Sequence, residues 1–401
     1  MDARLLFTAR IVRLFAYGFV AVVLVLYLAS IGLSEERIGL LLSLTLFGDV
    51  FVSLLLTTRA DAIGRKRTLL AGALLMIGAA IVFAITRDFT LLVLAATIGV
   101  ISPSGNEVGP FLAVEQVALA QAAEGHDRTA LFAWYNLAGS FATAAGSLAG
   151  GFFTGVLQQR GFSDSTSYRA AIFGYAMLGA ILAVVFSRVS RQVEGERVPM
   201  RGWFRVERSR GIAARLSALF ALDSFAGGLV VQSVVAYWFA RRFGVSPELL
   251  GAIFFGANLL AGISALAAAR IAKRIGLLNT MVFTHLPSNV LLILVPLMPS
   301  LPLAIAVLLL RFSISQMDVP TRQAFVIAAV DPFERTAAAG ITGVARTSGA
   351  ALAPILAMPL LASLHYDWVP FVVAGALKIV YDLALLWSAR SFTTAFGSRP
   401  S

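Results

Sequence analysis

Residues 32–39 read Gly-Leu-Ser-Glu-Glu-Arg-Ile-Gly, and residues 244–251 read Gly-Val-Ser-Pro-Glu-Leu-Leu-Gly. Each stretch separates two long apolar runs, and the two stretches lie 212 residues apart. At the same offset, Gly64 aligns with Gly276. Each match is weak by itself, but their shared order predicts an internal repeat, so that the two halves of the chain have the same plan.

The composition of the chain indicates a membrane protein. Of its 401 residues, 59% are hydrophobic and 13% are charged, against roughly 25% charged in soluble domains. A surface in contact with lipid needs few polar side chains. The chain has no cysteine and three scattered histidines, so we expect no metal site and no cofactor. The net charge of +11 lies mostly in loops, which argues against nucleic-acid binding.

The lengths of the apolar runs set the number of membrane spans. A spanning helix needs about 20 mostly apolar residues. The first run follows charged residues and is too long for a cleaved signal peptide. We predict twelve spans, at residues 10–33, 37–58, 68–87, 90–119, 129–157, 169–188, 214–241, 248–270, 278–298, 302–329, 337–361 and 369–389.

The predicted fold class is an all-α membrane protein built from two six-helix bundles. The bundles would cover residues 1–188 and 214–401, joined by an arginine-rich cytoplasmic linker at 189–213. Parallel repeats of this kind are a recurring plan of transporters, with the solute site at the repeat interface. Internal symmetry favours a transporter over a receptor or a lipid-modifying enzyme, for which we find no nucleophile motif or metal cluster.

Basic residues fix the predicted orientation. Loops on the side of both termini hold 21 Lys and Arg, and loops on the other side hold six. The positive-inside rule then places both termini in the cytoplasm. We expect a multi-pass protein of a bacterial inner membrane, surrounded by lipid.

The loop after the second span reads Arg59-Ala-Asp-Ala-Ile-Gly-Arg-Lys-Arg67. An acid at a helix end, a glycine that permits a tight turn and three cations could close a cytoplasmic contact. A simple positive-inside anchor is the alternative. The predicted gating residues are Asp61, Gly64, Arg65, Lys66 and Arg67.

This loop resembles the Asp-x-x-Gly-Arg-Lys/Arg loop between spans 2 and 3 of the major facilitator superfamily. The repeat, the six-plus-six spans and the basic central linker agree with that family along nearly the whole chain, although Thr57 replaces its usual glycine. The resemblance implies two bundles that rock to give alternating access, a loop that latches the cytoplasmic side, and function as a monomer.

Span 5 contains Gly146-Ser-Leu-Ala-Gly-Gly151, which resembles the Gly-Pro-x-x-Gly-Gly element of proton-coupled exporters in the same superfamily. Ser147 stands where that element has proline. Small residues four apart also permit close helix packing, so a packing face is the alternative.

Ionisable residues within the spans are the candidate functional groups, because each costs roughly 2.5–3.5 kcal/mol to insert. Two prolines and two glycines between Pro103 and Pro110 predict a bent or partly unwound fourth span. An unpaired carboxylate in a membrane holds protons more tightly, and arginines suit anionic solutes. The predicted proton-coupling residues are Asp49, Glu107, Glu115 and Asp318. The predicted solute-binding residues are Asn106, Arg311, Gln316, Arg322 and Arg346.

Structural roles compete with these assignments. Asp318 and Arg322 are four residues apart, so their sole role could be to neutralise each other's charge. Lys378 and Asp382, also four apart, are predicted to form a structural pair. Arg13 is expected to reach the cytoplasmic interface, and Asp223 is expected to be equally shallow.

Three functions follow from these patterns. The first is proton-coupled export of an amphipathic or anionic small molecule. The second is import or exchange of a small organic or phosphorylated anion, favoured by the three buried arginines. A non-transporting membrane protein is the third and has the least support.

Overall fold

A computed structural model describes residues 2–122, 128–190, 194, 206–331 and 333–396, without the side chains of residues 61–62, 120–122, 128–130, 336 and 389–396. Within these residues the chain forms seventeen α-helices and a 3-10 helix, and no strand. The helices are α1 (Asp2–Ala21), α2 (Leu24–Ser30), α3 (Glu35–Ile63), α4 (Arg65–Ile85), α5 (Phe89–Ile98), α6 (Phe111–Ala122), α7 (Arg128–Gln159), α8 (Asp164–Ser187), α9 (Arg210–Gly228), α10 (Gln232–Phe243), α11 (Pro247–Ile275), α12 (Leu277–Leu294), α13 (Leu301–Ser315), α14 (Asp318–Ala329), α15 (Arg335–Ala351), α16 (Pro354–Leu361) and α17 (Val369–Phe396); the 3-10 helix is Val295–Leu297.

These helices form the twelve predicted spans. In the part of the chain that the structure describes, ten helical stretches are long and apolar enough to cross a membrane. The pair α1 and α2 makes another span, bent by 42°. The apolar helix α5, followed by α6, makes the fourth span. The prediction of an all-α fold with twelve spans is confirmed.

The first and fourth spans of each repeat are broken. Span 1 breaks between α1 and α2, span 7 between α9 and α10, and span 10 between α13 and α14. Span 4 has the longest break, because residues 99–110 are not helical and Gly105 and Gly109 have φ values of +71° and +80°. The predicted unwinding of this span is confirmed. Broken spans expose backbone groups that can bind charged side chains or ligands.

Glycines at matching places confirm the internal repeat. Gly64 joins α3 to α4 with φ +109°, and Gly276 joins α11 to α12 with φ +85°. Gly32 and Gly244, which begin the repeated stretch, also have positive φ. Only glycine adopts this backbone without a steric cost, so the same tight turns recur 212 residues apart.

The chain divides into two compact units. The first contains Met1–Pro199 and Val231–Leu259, and the second contains Met200–Val230 and Leu260–Ser401. Helix α10 and the first part of α11 therefore pack with the first repeat. Most of the predicted linker 189–213 lies outside the described residues, so its boundaries stay a prediction.

Glycines bring the helices of each unit into close contact. A Cβ on Gly146 of α7 would lie 2.0 Å from the carbonyl oxygen of Phe15 on α1, and one on Gly150 would lie 2.3 Å from that of Phe19. The second unit repeats this contact, since a Cβ on Gly349 of α15 would lie 2.3 Å from the carbonyl oxygen of Ala221 on α9. The predicted packing face of span 5 is confirmed.

Large apolar side chains cover the outside of both units. Phe51, Ile85 and Met177 of the first unit and Trp387 of the second are each about 70–80% exposed. Such a surface is unfavourable in water but matches a hydrocarbon surrounding. It agrees with the membrane assignment.

Candidate functional site

A first charge cluster lies in the first unit, where α1 meets the unwound fourth span. Arg13 is fully buried and donates hydrogen bonds to Glu115 at 2.7 Å and to Glu107 at 3.2 Å. Arg10, one helical turn earlier, also pairs with Glu107 and donates to Asn136 at 3.2 Å. The hydroxyl of Tyr135 on α7 donates to Glu115. The cluster therefore joins spans 1, 4 and 5.

Both glutamates of this cluster thus have cationic partners. The sequence predicted Glu107 and Glu115 as proton carriers, and the structure shows each neutralised by at least one arginine. The predicted interfacial position of Arg13 is wrong. Its side chain is fully buried and bonds to both glutamates, so it does not extend to the cytoplasmic interface.

Asp49 on α3 binds the unwound segment without a cation. Its carboxylate accepts hydrogen bonds from the backbone N–H of Gly109 at 2.5 Å and from the hydroxyl of Ser53 at 3.1 Å. None of the ion pairs among the described residues includes Asp49. It holds the break in span 4 against α3, and it stays a candidate proton carrier.

A second charge cluster lies in the second unit, centred on Asp223 of α9. One carboxylate oxygen accepts from Lys378 of α17 at 2.6 Å, and the other accepts from Arg322 of α14 at 2.9 Å. Arg322 also pairs with Asp318 at 3.1 Å. All four side chains are buried. The predicted Asp318–Arg322 pair is confirmed, with Asp223 as its unforeseen third member.

One sequence prediction about this cluster, the Lys378–Asp382 pair, is wrong. The expected shallow position of Asp223 in the membrane stays a prediction, but its side chain is 4% exposed and accepts from two cations. Lys378 pairs with Asp223, whereas Asp382 accepts hydrogen bonds from Asn289 at 2.9 Å and contacts His285 at 2.9 Å. The i, i+4 spacing placed Lys378 and Asp382 on one face, but each has a partner on another helix.

Arg311 and Arg346 have no carboxylate partner in the described part of the chain. Arg311 lies over the ring of Phe312 at 4.9 Å, and its buried Nε–H has no hydrogen-bond acceptor there. Arg346 donates from Nε to the hydroxyl of Ser224 at 3.3 Å. Arg346 is close enough to Arg322 for the two cations to repel each other. Both arginines lie within electrostatic reach of Asp223 and Asp318, but neither forms an ion pair with a carboxylate among the described residues.

The two predicted polar solute contacts lie at helix breaks. Gln316 ends α13 at the break of span 10 and is partly buried. Asn106 is exposed in the unwound segment of span 4, where its carbonyl oxygen accepts from Ser102 at 2.7 Å. Among the described residues, no hydrogen bond or ion pair joins either side chain to a predicted arginine, so their roles stay predictions.

The predicted gating loop makes contacts within the first unit. The carboxylate of Glu194 accepts from the backbone N–H of Arg65 at 2.6 Å, at the N-terminus of α4. The ammonium of Lys66 donates to the carbonyl oxygens of Ser187 and Val189, at the end of α8, at 2.6 and 2.8 Å. Arg67 is exposed. The side chain of Asp61 lies outside the described residues.

Ser147 is the centre of a polar contact that sequence reasoning missed. Its hydroxyl accepts hydrogen bonds from Gln232 of α10 at 3.1 Å and from Asn258 of α11 at 3.3 Å. Asn258 also donates to Gln232 at 3.0 Å. Proline at this position would remove the acceptor. The departure from the exporter element therefore has a structural reason, and it connects span 5 to spans 7 and 8.

A second contact on α10 joins it to span 2. Glu35, at the start of α3, accepts from Tyr237 at 2.8 Å and pairs with Arg241 at 2.5 Å. The backbone N–H of Ser233 donates to the carbonyl oxygen of Pro103 at 3.1 Å. These contacts and those of Ser147 attach α10 to the first repeat at several points.

His285 is the other residue that the sequence did not single out. It is 4% exposed on α12 and lies between Asp382 and Asp223. Its only sequence signal is a polar residue in an apolar helix, four residues before Asn289, which binds the same aspartate. Because its partners are 62 and 97 residues away along the chain, spacing rules did not reveal them.

Comparisons with known proteins agree with this architecture. The family model described as Major Facilitator Superfamily matches residues 6–354. An uncharacterized membrane protein of Saccharomyces cerevisiae, YJR124C, is 30% identical and is matched over 96% of this chain and 93% of its own length.

Solved structures show the same fold. The nucleoside transporter NupG is 16% identical with a TM-score of 0.74, over 96% of this chain and 99% of its own. A bacterial homologue of the human lysosomal transporter Spinster, solved inward-facing and occupied, is 15% identical with a TM-score of 0.74, over 98% of this chain and 97% of its own. At these identities the structures establish only the fold.

Proposed function

The chain belongs to the major facilitator superfamily of membrane transporters, and we propose that its solute is a small organic anion whose movement is coupled to protons. It is a multi-pass transporter and not an enzyme. The proposal adds the chemical class of the solute, the residues that bind it and the coupling ion.

The two arginines of the second unit that form no ion pair among the described residues, Arg311 and Arg346, are the basis of this proposal. A buried cation is stable in a membrane protein only beside an opposite charge or a water-filled space. Glu107, Glu115 and Asp318 are each paired with an arginine, whereas Arg311 and Arg346 are paired with no carboxylate among the described residues. A carboxylate or phosphate group offers the acceptors that two guanidinium groups bind well. Arg322 is already paired with Asp223 and Asp318, and it would help to position Arg311 and Arg346.

We propose that the contacts of α10 close the non-cytoplasmic side of the transporter. The arginine distribution puts Arg241 and the 32–39 loop on that side, with both termini in the cytoplasm. The bonds of Ser147 and Glu35 then hold α10 to the first repeat in one state, and they break in the other. Because Ser147 has two amide donors, its loss weakens the closed state.

The Asp61–Arg67 loop would latch the cytoplasmic side in the opposite state. The observed contacts of Arg65 and Lys66 with Glu194 and the end of α8 keep the loop in a defined position. Arg67, the exposed cation of the loop, would then form its latching contact only when the cytoplasmic side closes. The protein would work as a monomer surrounded by lipid, and a bacterial inner membrane stays a prediction.

Import or exchange of the anion is the direction that we favour. The export alternative rests on the resemblance of Gly146–Gly151 to an exporter element. Close packing against Phe15, Phe19 and Pro247 accounts for these glycines, and Ser147 has its own hydrogen-bonding role. Export of an amphipathic anion would still use the same arginines.

Uptake by purified protein in liposomes tests the proposal. Radiolabelled succinate, glucose 6-phosphate and 4-aminohippurate represent dicarboxylates, phosphorylated metabolites and amphipathic anions, and xylose and uridine serve as uncharged controls. An inward and an outward proton gradient are imposed in turn. We expect one of the three anions to accumulate under one of the two gradients. The direction of that gradient also decides between import and export. Transport of the uncharged probes alone would contradict the proposal.

A further inference from the structure

His285 lies between two aspartates that belong to two different spans. Its Nδ1 is 2.9 Å from a carboxylate oxygen of Asp382 on α17, and its Nε2 is 4.0 Å from a carboxylate oxygen of Asp223 on α9. Both ring nitrogens thus face an acid. Imidazole is the side chain that ordinarily gains and loses a proton between pH 5 and 8.

We infer that His285 is the proton-binding group of this transporter, an inference that rests on the proton coupling proposed above. Neighbouring side chains hold the ring in place. The ring of Tyr381 meets it edge-on at 6.0 Å, and Asn289 donates to the other oxygen of Asp382 at 2.9 Å. Asp382 is therefore fixed from both sides, and the imidazole cannot turn away from it without losing a buried bond.

Acids are the immediate neighbours of the His285 ring, and the cations lie one contact farther away. Asp382 and Asp223 face the two ring nitrogens, whereas Lys378 and Arg322 bond to Asp223. A positive charge on the imidazole would therefore have an acid on each side. The titratable and charged groups that face this site are Asp223 of α9, Asp318 and Arg322 of α14, Lys378, Tyr381 and Asp382 of α17, with Arg311 of α13 and Arg346 of α15 beyond Asp223.

Asp223 connects the proton to the solute. It accepts hydrogen bonds from Lys378 and Arg322, and one of its carboxylate oxygens lies 4.0 Å from Nε2 of His285. A protonated ring attracts Asp223 and competes with Arg322 for its charge. Arg322 then shares less of the negative charge of Asp223. The positive charge of Arg322, which lies beside Arg346, is therefore less compensated. Proton and anion binding consequently favour each other, because linkage is reciprocal.

The glutamates of the first cluster are less suited to this role. Glu115 accepts from Arg13 and Tyr135, and Glu107 pairs with two arginines. Protonating either one would strand a buried guanidinium. Asp49, which has no cation among the described ion pairs, is the alternative carrier that the experiment must separate from His285.

Nuclear magnetic resonance of the unaltered protein tests whether the ring titrates. The full chain is labelled with ¹⁵N-histidine in nanodiscs. It contains only three histidines, so His126→Gln and His365→Gln identify the signals of the other two. We expect the His285 ring nitrogens to pass from the neutral to the protonated pattern as the pH is lowered. A single protonation state at every pH at which the protein stays folded would overturn the inference, whatever the variants do.

Transport by variants tests whether that proton is the coupled one. Whichever of 4-aminohippurate, succinate and glucose 6-phosphate the wild type accumulates, His285→Gln should accumulate it at least tenfold less under a proton gradient, and should retain its exchange within about twofold. The exposed His365 provides the matched control, His365→Gln, which should behave as wild type. Full accumulation by His285→Gln, with a loss in Asp49→Asn instead, would assign the proton to Asp49.

The outcomes separate this inference from the proposed function. If the wild-type protein accumulates none of the three anions under any gradient, the proposed function fails. If the wild type accumulates one and folded His285→Gln loses accumulation and exchange together, the histidine has a structural role and the inference fails. Loss of accumulation with exchange retained supports both.

Discussion

Arg13 on the first span donates two hydrogen bonds to Glu115 on the fourth, and neither side chain is exposed. The second repeat has the same connection with the charges reversed, because Asp223 on the seventh span accepts from Arg322 on the tenth. Each repeat therefore ties its two broken spans together with a buried ion pair. Breaking such a pair costs far more than the pair contributes to stability, since the remaining charge has no partner.

Removing Glu115 tests this connection. Glu115→Gln leaves Arg13 with only the more distant Glu107, so we expect the free energy of unfolding to fall by about 3–5 kcal/mol. Thermal unfolding of the purified protein in detergent measures the loss. The exposed Glu36 gives the control Glu36→Gln, which should change little.

The double variant Arg13→Met, Glu115→Met should be more stable than Glu115→Gln, because no unpaired charge stays buried. Equal or lower stability of the double variant would show that the pair is not the source of the loss.

Ser147→Ala tests the proposed closure by α10. The chain has no cysteine, so a single Ser233→Cys, at a position that is 1% exposed, reports when α10 detaches. Loss of two hydrogen bonds, each about 0.5–1.5 kcal/mol, should increase labelling by a membrane-impermeant maleimide about tenfold. Ser140→Ala on the same helix should leave the rate unchanged, since Ser140 bonds only to its own helix. Equal rates in the two variants would exclude Ser147 from the closure.

Glu334 gives the protein a pH-dependent contribution to stability. Burial raises the pKa of its carboxyl, but hydrogen bonds from the backbone N–H groups of Arg208, Glu207 and Ser209, and from Ser209's side chain, outweigh this and lower the pKa to about 2. The ionised form caps the N-terminus of α9. Because the folded-state pKa lies below the unfolded one, this stabilisation is complete above about pH 5 and is lost as the pH falls towards 2.

We therefore expect Glu334→Gln to lower the unfolding temperature at pH 7, and the difference from wild type to shrink between pH 5 and 3. Unfolding curves across that range measure it, with the exposed Asp164→Asn as control. A difference that is constant with pH would mean that the carboxylate charge is not involved.

The twelve spans could be predicted because each depends only on a local run of apolar residues. The glycines at 64 and 276, which have positive φ, could also be predicted, because a tight turn between two long helices requires them. The unwinding of span 4 followed from the two prolines and two glycines within residues 103–110. The spans and the turns between them thus depend on residues that are close together in the sequence, and so they could be predicted in each repeat.

The partners of the buried charges could not be predicted in this way. Lys378 bonds to Asp223 across 155 residues and Arg10 to Glu107 across 97, so no spacing rule relates them. The i, i+4 rule correctly predicted Asp318–Arg322 but failed for Lys378, because packing gives each of those side chains a partner on a different helix. The burial of Arg13 was missed for the same reason, because its partners Glu107 and Glu115 lie 94 and 102 residues away.

The anion site is tested most directly by the concentration dependence of uptake. Initial rates for the anion that accumulates, among succinate, glucose 6-phosphate and 4-aminohippurate, are measured for Arg311→Gln, Arg346→Gln and the exposed control Arg215→Gln. A hydrogen bond to a charged group contributes about 1.5–3 kcal/mol, so we predict that each of the first two raises KM about 10- to 100-fold while the control matches wild type. Wild-type KM values for both Arg311→Gln and Arg346→Gln would contradict the account.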